Sequence, residues 1–200
     1  RVAFLGCGSW GAALSSILAE KGIKTHFWHR DNQVMQKMEK SRKHYLLPSI
    51  EFSSSVEFFS DLNNAIDGAD SIVIAVPSQS VRRVLLNAQN SIGTSKCIIN
   101  IAKGIENNSL MTMSQVIKDV LKNKSNIVTL SGPSHAEEVI DKNPTAIVAS
   151  SKNLVLAQYV QGIFSTSKFR VYTNTDIKGV EIGGSAKNVI AIAAGFCDGA

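Results

Sequence analysis

A glycine-rich motif near the start of the chain most constrains how these 200 residues can fold. Gly6, Gly8 and Gly11 follow a short apolar run in the order G-x-G-x-x-G. Residues 12–21 then show helical spacing. In a strand, turn and helix of this kind the glycines let the backbone approach a pyrophosphate, and the helix N-terminus favours an anion. The motif therefore predicts a dinucleotide site, with a purely structural turn as the alternative.

The end of the second predicted strand bears on the choice of dinucleotide. NAD-specific sites place Asp or Glu there to bind the ribose 2′-hydroxyl, whereas this chain has Trp28, His29 and Arg30. A guanidinium can stack on adenine and pair with a 2′-phosphate, so Arg30 favours NADPH while NADH stays possible. Two alternatives remain: Asp31 approaches the ribose instead, or Arg30 is a solvated residue at a helix start.

Strand and helix patterns alternate along the chain. The predicted strands are residues 2–5, 25–28, 56–59, 71–76, 97–101, 127–130, 146–149 and 169–172. The predicted helices are residues 12–21, 32–42, 61–66, 84–86 with their flanks, 111–121, 154–164 and 182–197. This alternation predicts an α/β fold with a doubly wound, mostly parallel Rossmann-type sheet. Ligands bind such sheets at the carboxyl ends of the strands, which selects residues 6–11, 77–78, 103–104 and 131–136.

Composition narrows the classes of partner. The net charge of +5 is scattered, which favours a small phosphorylated molecule over a nucleic acid. Cys7, Cys97 and Cys197 are far apart, so neither a disulfide framework nor a zinc site is expected, and a reducing cytoplasm is indicated. The histidines lack metal-ligand spacing, and no apolar run is long enough for membrane insertion. Because the chain opens without methionine and ends in an apolar helical stretch, we expect a fragment of a longer protein.

Two segments after predicted strands carry candidate site residues. Lys103 directly follows the strand at residues 97–101, which puts it at the rim of the sheet, although a surface lysine is the alternative. Ser134 and Glu137 have the spacing of a capping box, which predicts a helix start there. The N–H groups of that helix start could also face an anionic ligand.

A single lysine stands out near the end of the chain. Lys187 is the only charged residue between Ile182 and Cys197, and apolar side chains fall all round the predicted helix. We therefore expect a largely buried helix. Burial and a neighbouring cation favour the neutral amine of a lysine, which suits proton transfer near neutral pH. A lysine that reaches the surface is the alternative.

Together these motifs resemble the NAD(P)-dependent glycerol-3-phosphate dehydrogenases in their bacterial form. The matching stretches are GCGSWGAAL at 6–14, FWHRD at 27–31, YLLP at 45–48, AVPS at 75–78, AKGIE at 102–106, LSGPSHAEEV at 130–139, PTAIV at 144–148 and GVEIGGSAKNVIAIAAG at 179–195. The resemblance implies reversible interconversion of dihydroxyacetone phosphate and sn-glycerol 3-phosphate with NADPH. It also implies phospholipid synthesis in the cytoplasm, commonly by a homodimer.

The resemblance further implies roles for individual residues. Ser9, Trp10, Arg30 and Ala136 are similar to cofactor contacts, Lys103 to a contact of both cofactor and substrate, Gly132 and Ser134 to substrate contacts, and Lys187 to the catalytic lysine. His135 departs from the bulky apolar residue that is usual in the family. Residues 1–178 are expected to form the NAD(P)-binding domain, and 179–200 the first helix of a truncated helical substrate domain.

Two other functions remain open from the sequence. One is a different dehydrogenase of the group that acts on 6-phosphogluconate and hydroxyacids, which also uses a lysine on the helix after the nucleotide domain. The other is a non-catalytic dinucleotide-binding module in which Lys187 only packs. No order of Ser, His and Asp or nucleophile elbow supports covalent hydrolysis.

Overall fold

The computed structural model describes residues 1–93, 96–122 and 126–199. The strands are β1 Val2–Leu5, β2 Thr25–Trp28, β3 Val56–Phe59, β4 Ser71–Ile74, β5 Cys97–Asn100, β6 Asn126–Ser131, β7 Thr145–Ser150 and β8 Phe169–Asn174. The helices are α1 Ser9–Glu20, α2 Asn32–Ser41, α3 Leu62–Ile66, α4 Val81–Ala88, α5 Met113–Val120, α6 Ala136–Ile140, α7 Leu154–Phe164 and α8 Ile177–Gly199. A 3-10 turn at Ser78–Ser80 precedes α4.

The strands form one eight-stranded sheet in the order β3-β2-β1-β4-β5-β6-β7-β8. All neighbouring strands are parallel except β6 and β7, which are antiparallel. The prediction of a doubly wound, mostly parallel Rossmann-type sheet is confirmed. Because the order reverses between β1 and β4, the carboxyl ends of these strands flank the crevice where ligands bind in such sheets.

Helices cover both faces of the sheet, which explains why its central strands are apolar throughout. Phe4 belongs to the apolar cluster shared with α1 and α7, whereas Leu5 belongs to the cluster shared with α4 and α5. Both side chains are fully buried. Strands buried on both faces lack the alternation of half-exposed strands, as the SIVI sequence of β4 illustrates.

The prediction of a largely buried last helix is wrong for this chain. In α8, Ile177 and Glu181 are buried, whereas Val189, Ile192 and Phe196 are more than 70% exposed. Helix α8 packs on β6 and β7, and its described residues from 188 to 199 are all exposed. The division at residue 178 remains a prediction, and Ala200 lies outside the described residues.

The predicted capping box is also wrong. Helix α6 begins at Ala136, its N-cap is His135, and no side chain caps it. Ser134 lies one residue too early, so its hydroxyl cannot reach the amides of the first turn. Instead, the Ser134 hydroxyl oxygen is buried without a hydrogen-bond partner among the described residues.

None of the described helices, including the 23-residue α8, has both the length and the apolar content required to cross a bilayer.

The turn after β1 is held in a conformation that only glycine adopts readily. Gly6 has a φ of +112°, and a Cβ atom there would lie 2.6 Å from the carbonyl oxygen of Ala75. We expect Gly6→Ala to lower the free energy of unfolding of the 200-residue chain by about 3 kcal/mol, through backbone strain and overpacking. Urea unfolding would measure the loss.

Gly22→Ala is the matched control. Gly22 also has a positive φ, of +70°, but a Cβ atom there would meet nothing within 4 Å. Gly22→Ala should lower the free energy of unfolding by only about 1 kcal/mol, because it adds the strain of a left-handed backbone without a clash. Equal losses at the two positions would contradict the close packing of Gly6 against β4.

Candidate active site

A cavity of about 750 Å³ opens at the carboxyl ends of β1, β2, β4 and β5. We refer to it as the glycine-loop cavity. Its lining residues are Gly6, Cys7, Gly8, Trp10, Gly11, Trp28, His29, Arg30, Tyr45, Leu46, Ala75, Val76, Pro77, Ser80, Arg83, Val84, Asn87, Ile101 and Ala102. Five of the residues predicted to bind cofactor therefore meet in one cavity, at the edge of the sheet that the fold selects.

The start of α1 has the features of an anion site. Its N-cap is Gly8, no side chain caps the helix, and its first turn contains no acidic residue. The amides of the first turn are therefore available to an anion in the cavity. Nearby, the indole N–H of Trp10 is buried without a partner among the described residues. These features fit the pyrophosphate of a dinucleotide.

Arg30 and Asp31, which follow β2, have different surroundings. The Asp31 carboxylate accepts hydrogen bonds from the amides of Gln33 and Val34, at 2.8 and 3.4 Å, and so caps α2. Arg30 is exposed and lines the glycine-loop cavity, whereas Asp31 is absent from its lining. The cation, rather than the carboxylate, faces this part of the cavity.

Two lysines from distant parts of the chain converge on the loop after β6. The Lys103 Nζ donates a hydrogen bond to the carbonyl oxygen of Gly132 at 3.2 Å. The Lys187 Nζ donates to the carbonyl oxygen of Ser134 at 3.4 Å. Both lysines are half-buried. Lys187 therefore lies against the loop and does not extend into bulk solvent.

Lys187 lies in a second cleft, of about 550 Å³, which we refer to as the lysine cleft. Its lining residues are Ser131, Gly132, Pro133, Val148, Val180, Gly183, Gly184, Lys187, Ile190, Ala191 and Ala194. The two cavities are neighbours, because Ala102 lines the first and the next residue, Lys103, bonds to Gly132 in the second. A ligand that extends from the glycine loop past Lys103 would reach Lys187.

Burial and like charge act on Lys103. Burial lowers the pKa of its amine, and the nearby Lys187 charge lowers the same pKa further. A cationic pair at the mouth of a site attracts anionic ligands, because a bound anion relieves the repulsion between the two ammonium groups.

A buried carboxylate that sequence reasoning missed anchors α8. Glu181 is 5% exposed. Its Oε1 accepts hydrogen bonds from the Ser114 amide at 2.8 Å and the Thr129 hydroxyl at 3.0 Å, and its Oε2 accepts one from the Ser114 hydroxyl at 2.7 Å. The Asn100 side-chain amide is 3.4 Å from Oε1. These donors come from β5, α5 and β6, so Glu181 joins α8 to the sheet about 1.7 turns before Lys187.

Gly184 allows α8 to approach the end of β6. A Cβ atom at this position would lie 2.6 Å from the Ser131 hydroxyl oxygen and 3.9 Å from Cγ of Lys103. Any side chain there would push α8 away from the loop that both lysines contact.

The remaining predicted residues lie around these cavities. Four of them line neither cavity: Ser9 at the start of α1, Lys103, Ser134 and the buried Ala136 at the start of α6. Conversely, Tyr45, Arg83 and Asn87 line the glycine-loop cavity and were not predicted. Helical spacing places Arg83 and Asn87 on one face of α4, which was the available signal.

The sheet order, the glycine turn and the uncapped α1 define a dinucleotide-binding α/β domain. Residues 1–157 match the family model described as NAD-dependent glycerol-3-phosphate dehydrogenase N-terminus, and residues 176–200 match the model of its C-terminus. The chain therefore belongs to the NAD-dependent glycerol-3-phosphate dehydrogenase family.

Individual relatives agree with this membership. The chain is 42% identical to a Bacillus pumilus protein and 46% identical to a Clostridium perfringens protein, both named glycerol-3-phosphate dehydrogenase [NAD(P)+]. All of this chain is covered in both cases, against 59% and 60% of the relatives. A crystal structure of the Coxiella burnetii enzyme matches with a TM-score of 0.90 at 32% identity, covering 99% of this chain and 61% of that one. The chain thus spans about 60% of the length of these relatives.

The Glu181 anchor makes a prediction about stability. Glu181→Leu would leave the buried Ser114 amide and the Thr129 hydroxyl without an acceptor. We expect a loss of about 3 kcal/mol in the free energy of unfolding of the 200-residue chain, measured by urea titration. The exposed Glu138 on α6 provides the control. Glu138→Leu should change the free energy of unfolding by less than about 0.5 kcal/mol. Similar values for the two variants would refute the anchoring role.

Proposed function

We propose that this chain is the cofactor-binding part of an oxidoreductase that interconverts dihydroxyacetone phosphate and sn-glycerol 3-phosphate with NAD(P)H. The observation that carries the proposal is the convergence of Lys103 and Lys187 on the loop at residues 132–134, next to the glycine-loop cavity. Two ammonium groups suit a substrate that carries a phosphate dianion and develops negative charge on a carbonyl oxygen.

The cofactor would occupy the glycine-loop cavity. Gly6, Gly8 and Gly11, with Ser9 and Trp10 at the start of α1, would hold the pyrophosphate, and Lys103 and Ala136 would lie towards the nicotinamide. Arg30 would pair with a 2′-phosphate, so NADPH is the favoured cofactor and NADH a possible one. The bound nicotinamide supplies the hydride for reduction and accepts it in oxidation.

The substrate would lie between the two lysines. Gly132 and Ser134 would contact it, and the Ser134 hydroxyl is suited to this because it is buried without a partner among the described residues. Lys187 would donate a proton to the carbonyl oxygen during reduction and accept it from the hydroxyl during oxidation. Lys103 would stabilise the negative charge on the same oxygen or on the phosphate.

The relatives are longer than this chain, so the whole protein would contain a further domain. The apolar side chains of α8 that no described element covers would pack against a following helical domain, which would complete the substrate site. The intact protein would act as a homodimer and supply phospholipid synthesis. A reducing cytoplasm agrees with Cys7, Cys97 and Cys197, which are all unpaired thiols.

Replacement of Lys187 tests the proposed reaction. In the intact protein, Lys187→Met should lower kcat for reduction of dihydroxyacetone phosphate by NADPH at least 1,000-fold, because both the proton donor and a positive charge are lost. The dissociation constant of NADPH, measured by quenching of tryptophan fluorescence, should change less than about threefold, because the glycine-loop cavity is intact.

Lys178→Met is the matched control, since Lys178 is an exposed lysine on the same helix; its kcat should remain within twofold of the wild type. A wild-type protein that reduces only ketoacids would contradict the proposed substrate. If Lys187→Met retained full turnover, the proposed proton transfer would be wrong. If the wild type bound NADPH without any turnover, a dinucleotide-binding module would be the better description.

A further inference from the structure

The loop that follows β5 carries Lys103 and is held by residues of the 3-10 turn at Ser78–Ser80 and of the first turn of α4. The side-chain amide of Gln79 makes two hydrogen bonds with this loop. Its Nε2 donates to the carbonyl oxygen of Ile105 at 2.8 Å, and its Oε1 accepts from the amide of Asn107 at 2.9 Å. One side chain therefore satisfies both a donor and an acceptor of the loop backbone, which fixes the loop in position and orientation.

Arg82 makes a second connection three residues later. Its Nε and Nη2 donate to the two carboxylate oxygens of Glu106, each at 2.9 Å. This bidentate pair is largely shielded, since the side chains of Arg82 and Glu106 are 31% and 13% exposed. Ser109 donates a further hydrogen bond to the Glu106 carboxylate at 2.5 Å, and Arg82 also contacts Asp119. Bidentate pairing fixes geometry more tightly than a single contact does.

The loop also packs directly on the 3-10 turn that contains Gln79. Gly104 has a φ of +138°, and a Cβ atom there would lie 2.6 Å from the Ser78 hydroxyl oxygen. Ser78, Gln79 and Arg82 thus contact the three residues that follow Lys103. Ser80 of the same turn and Pro77, which precedes it, line the glycine-loop cavity.

We propose that Gln79 and Arg82 are positioning residues, which act by holding Lys103 at the boundary between the glycine-loop cavity and the lysine cleft. They do not line the lysine cleft and Arg82 is committed to carboxylates, so they would act through Lys103 and not on the substrate. The proposal rests on the function proposed above, because it assumes that Lys103 contacts cofactor and substrate.

A double-mutant cycle in the intact protein tests this coupling. Gln79→Ala should lower kcat/KM for dihydroxyacetone phosphate about tenfold in the wild type, and by less than twofold in a Lys103→Ala background, where nothing is left to position. Gln79→Glu keeps the acceptor for Asn107 but loses the donor to Ile105, so it should recover part of the activity. Gln89, exposed just after α4, provides the control Gln89→Ala, which should leave kcat/KM unchanged.

The position of Lys103 can also be followed without turnover. In pulse labelling with acetic anhydride, read by mass spectrometry, Gln79→Ala should change the rate of acetylation of Lys103 at least fivefold and leave that of Lys187 unchanged. Loss of global stability would change both rates, and thermal unfolding of each variant provides a separate check.

The outcomes distinguish the two proposals. Equal losses from Gln79→Ala with and without Lys103, or no loss at all, would overturn the positioning role. An unchanged acetylation rate of Lys103 would overturn it as well. A wild-type protein that is inactive towards dihydroxyacetone phosphate would instead overturn the proposed function, and the acetylation rates would still decide the positioning role.

Discussion

The buried carboxylate of Glu181 is the interaction on which the geometry of the site depends. A carboxylate removed from water is costly unless donors surround it, and here an amide and two hydroxyls from α5 and β6 do so. The amide belongs to Ser114 in the first turn of α5, where the helix dipole favours a negative charge. Because Glu181 is in α8, the hydrogen bonds to its carboxylate fix both the position of this helix against the sheet and its rotation about its own axis. The same helix carries Lys187.

The rest of the site follows from where the sheet ends. Parallel strands β1, β4 and β5 deliver the glycine turn, the 3-10 turn and Lys103 to the same edge. The β6 loop then provides carbonyl oxygens to both lysines, and Gly184 lets α8 approach closely enough for Lys187 to reach it. Lys103 and Lys187 are thereby held near each other without a carboxylate partner among the described residues. The repulsion between their charges is unfavourable unless an anionic ligand binds between them.

Much of this arrangement could be predicted from local sequence. The predicted bounds of β1, β2 and β3 match the observed strands, whereas the predicted β4 and β5 extend one or two residues too far, because the apolar run continues past the last paired residue. The glycine motif and the resemblance to a known family indicated five of the residues that line the glycine-loop cavity. Lys103 could be placed at the rim because it lies just beyond the carboxyl end of β5.

Long-range pairing could not be predicted in the same way. The partners of Glu181 are 52, 67 and 81 residues away in sequence, so nothing near it marks it as buried. Gln79 and Arg82 likewise bond to residues of the Lys103 loop that are 26 and 24 positions away in sequence. The burial of α8 was overestimated because an apolar pattern shows which side chains favour burial and not whether another element covers them. In the described residues, the apolar side chains of the later turns of α8 are exposed. The predicted N-cap of α6 was wrong by one residue, because spacing alone does not fix the residue at which a helix begins.

Lys103 and Lys187 can act on one anionic ligand only if their ammonium groups lie close enough to repel each other. The most direct measurement is the pKa of Lys103, obtained by NMR titration of 13C-methylated lysines in the wild type and in Lys187→Met. The Lys103 pKa should lie below the ordinary 10.5 in the wild type and rise towards that value when the Lys187 charge is removed. A Lys103 pKa that is the same in both proteins would show that the two ammonium groups do not interact and do not form one site.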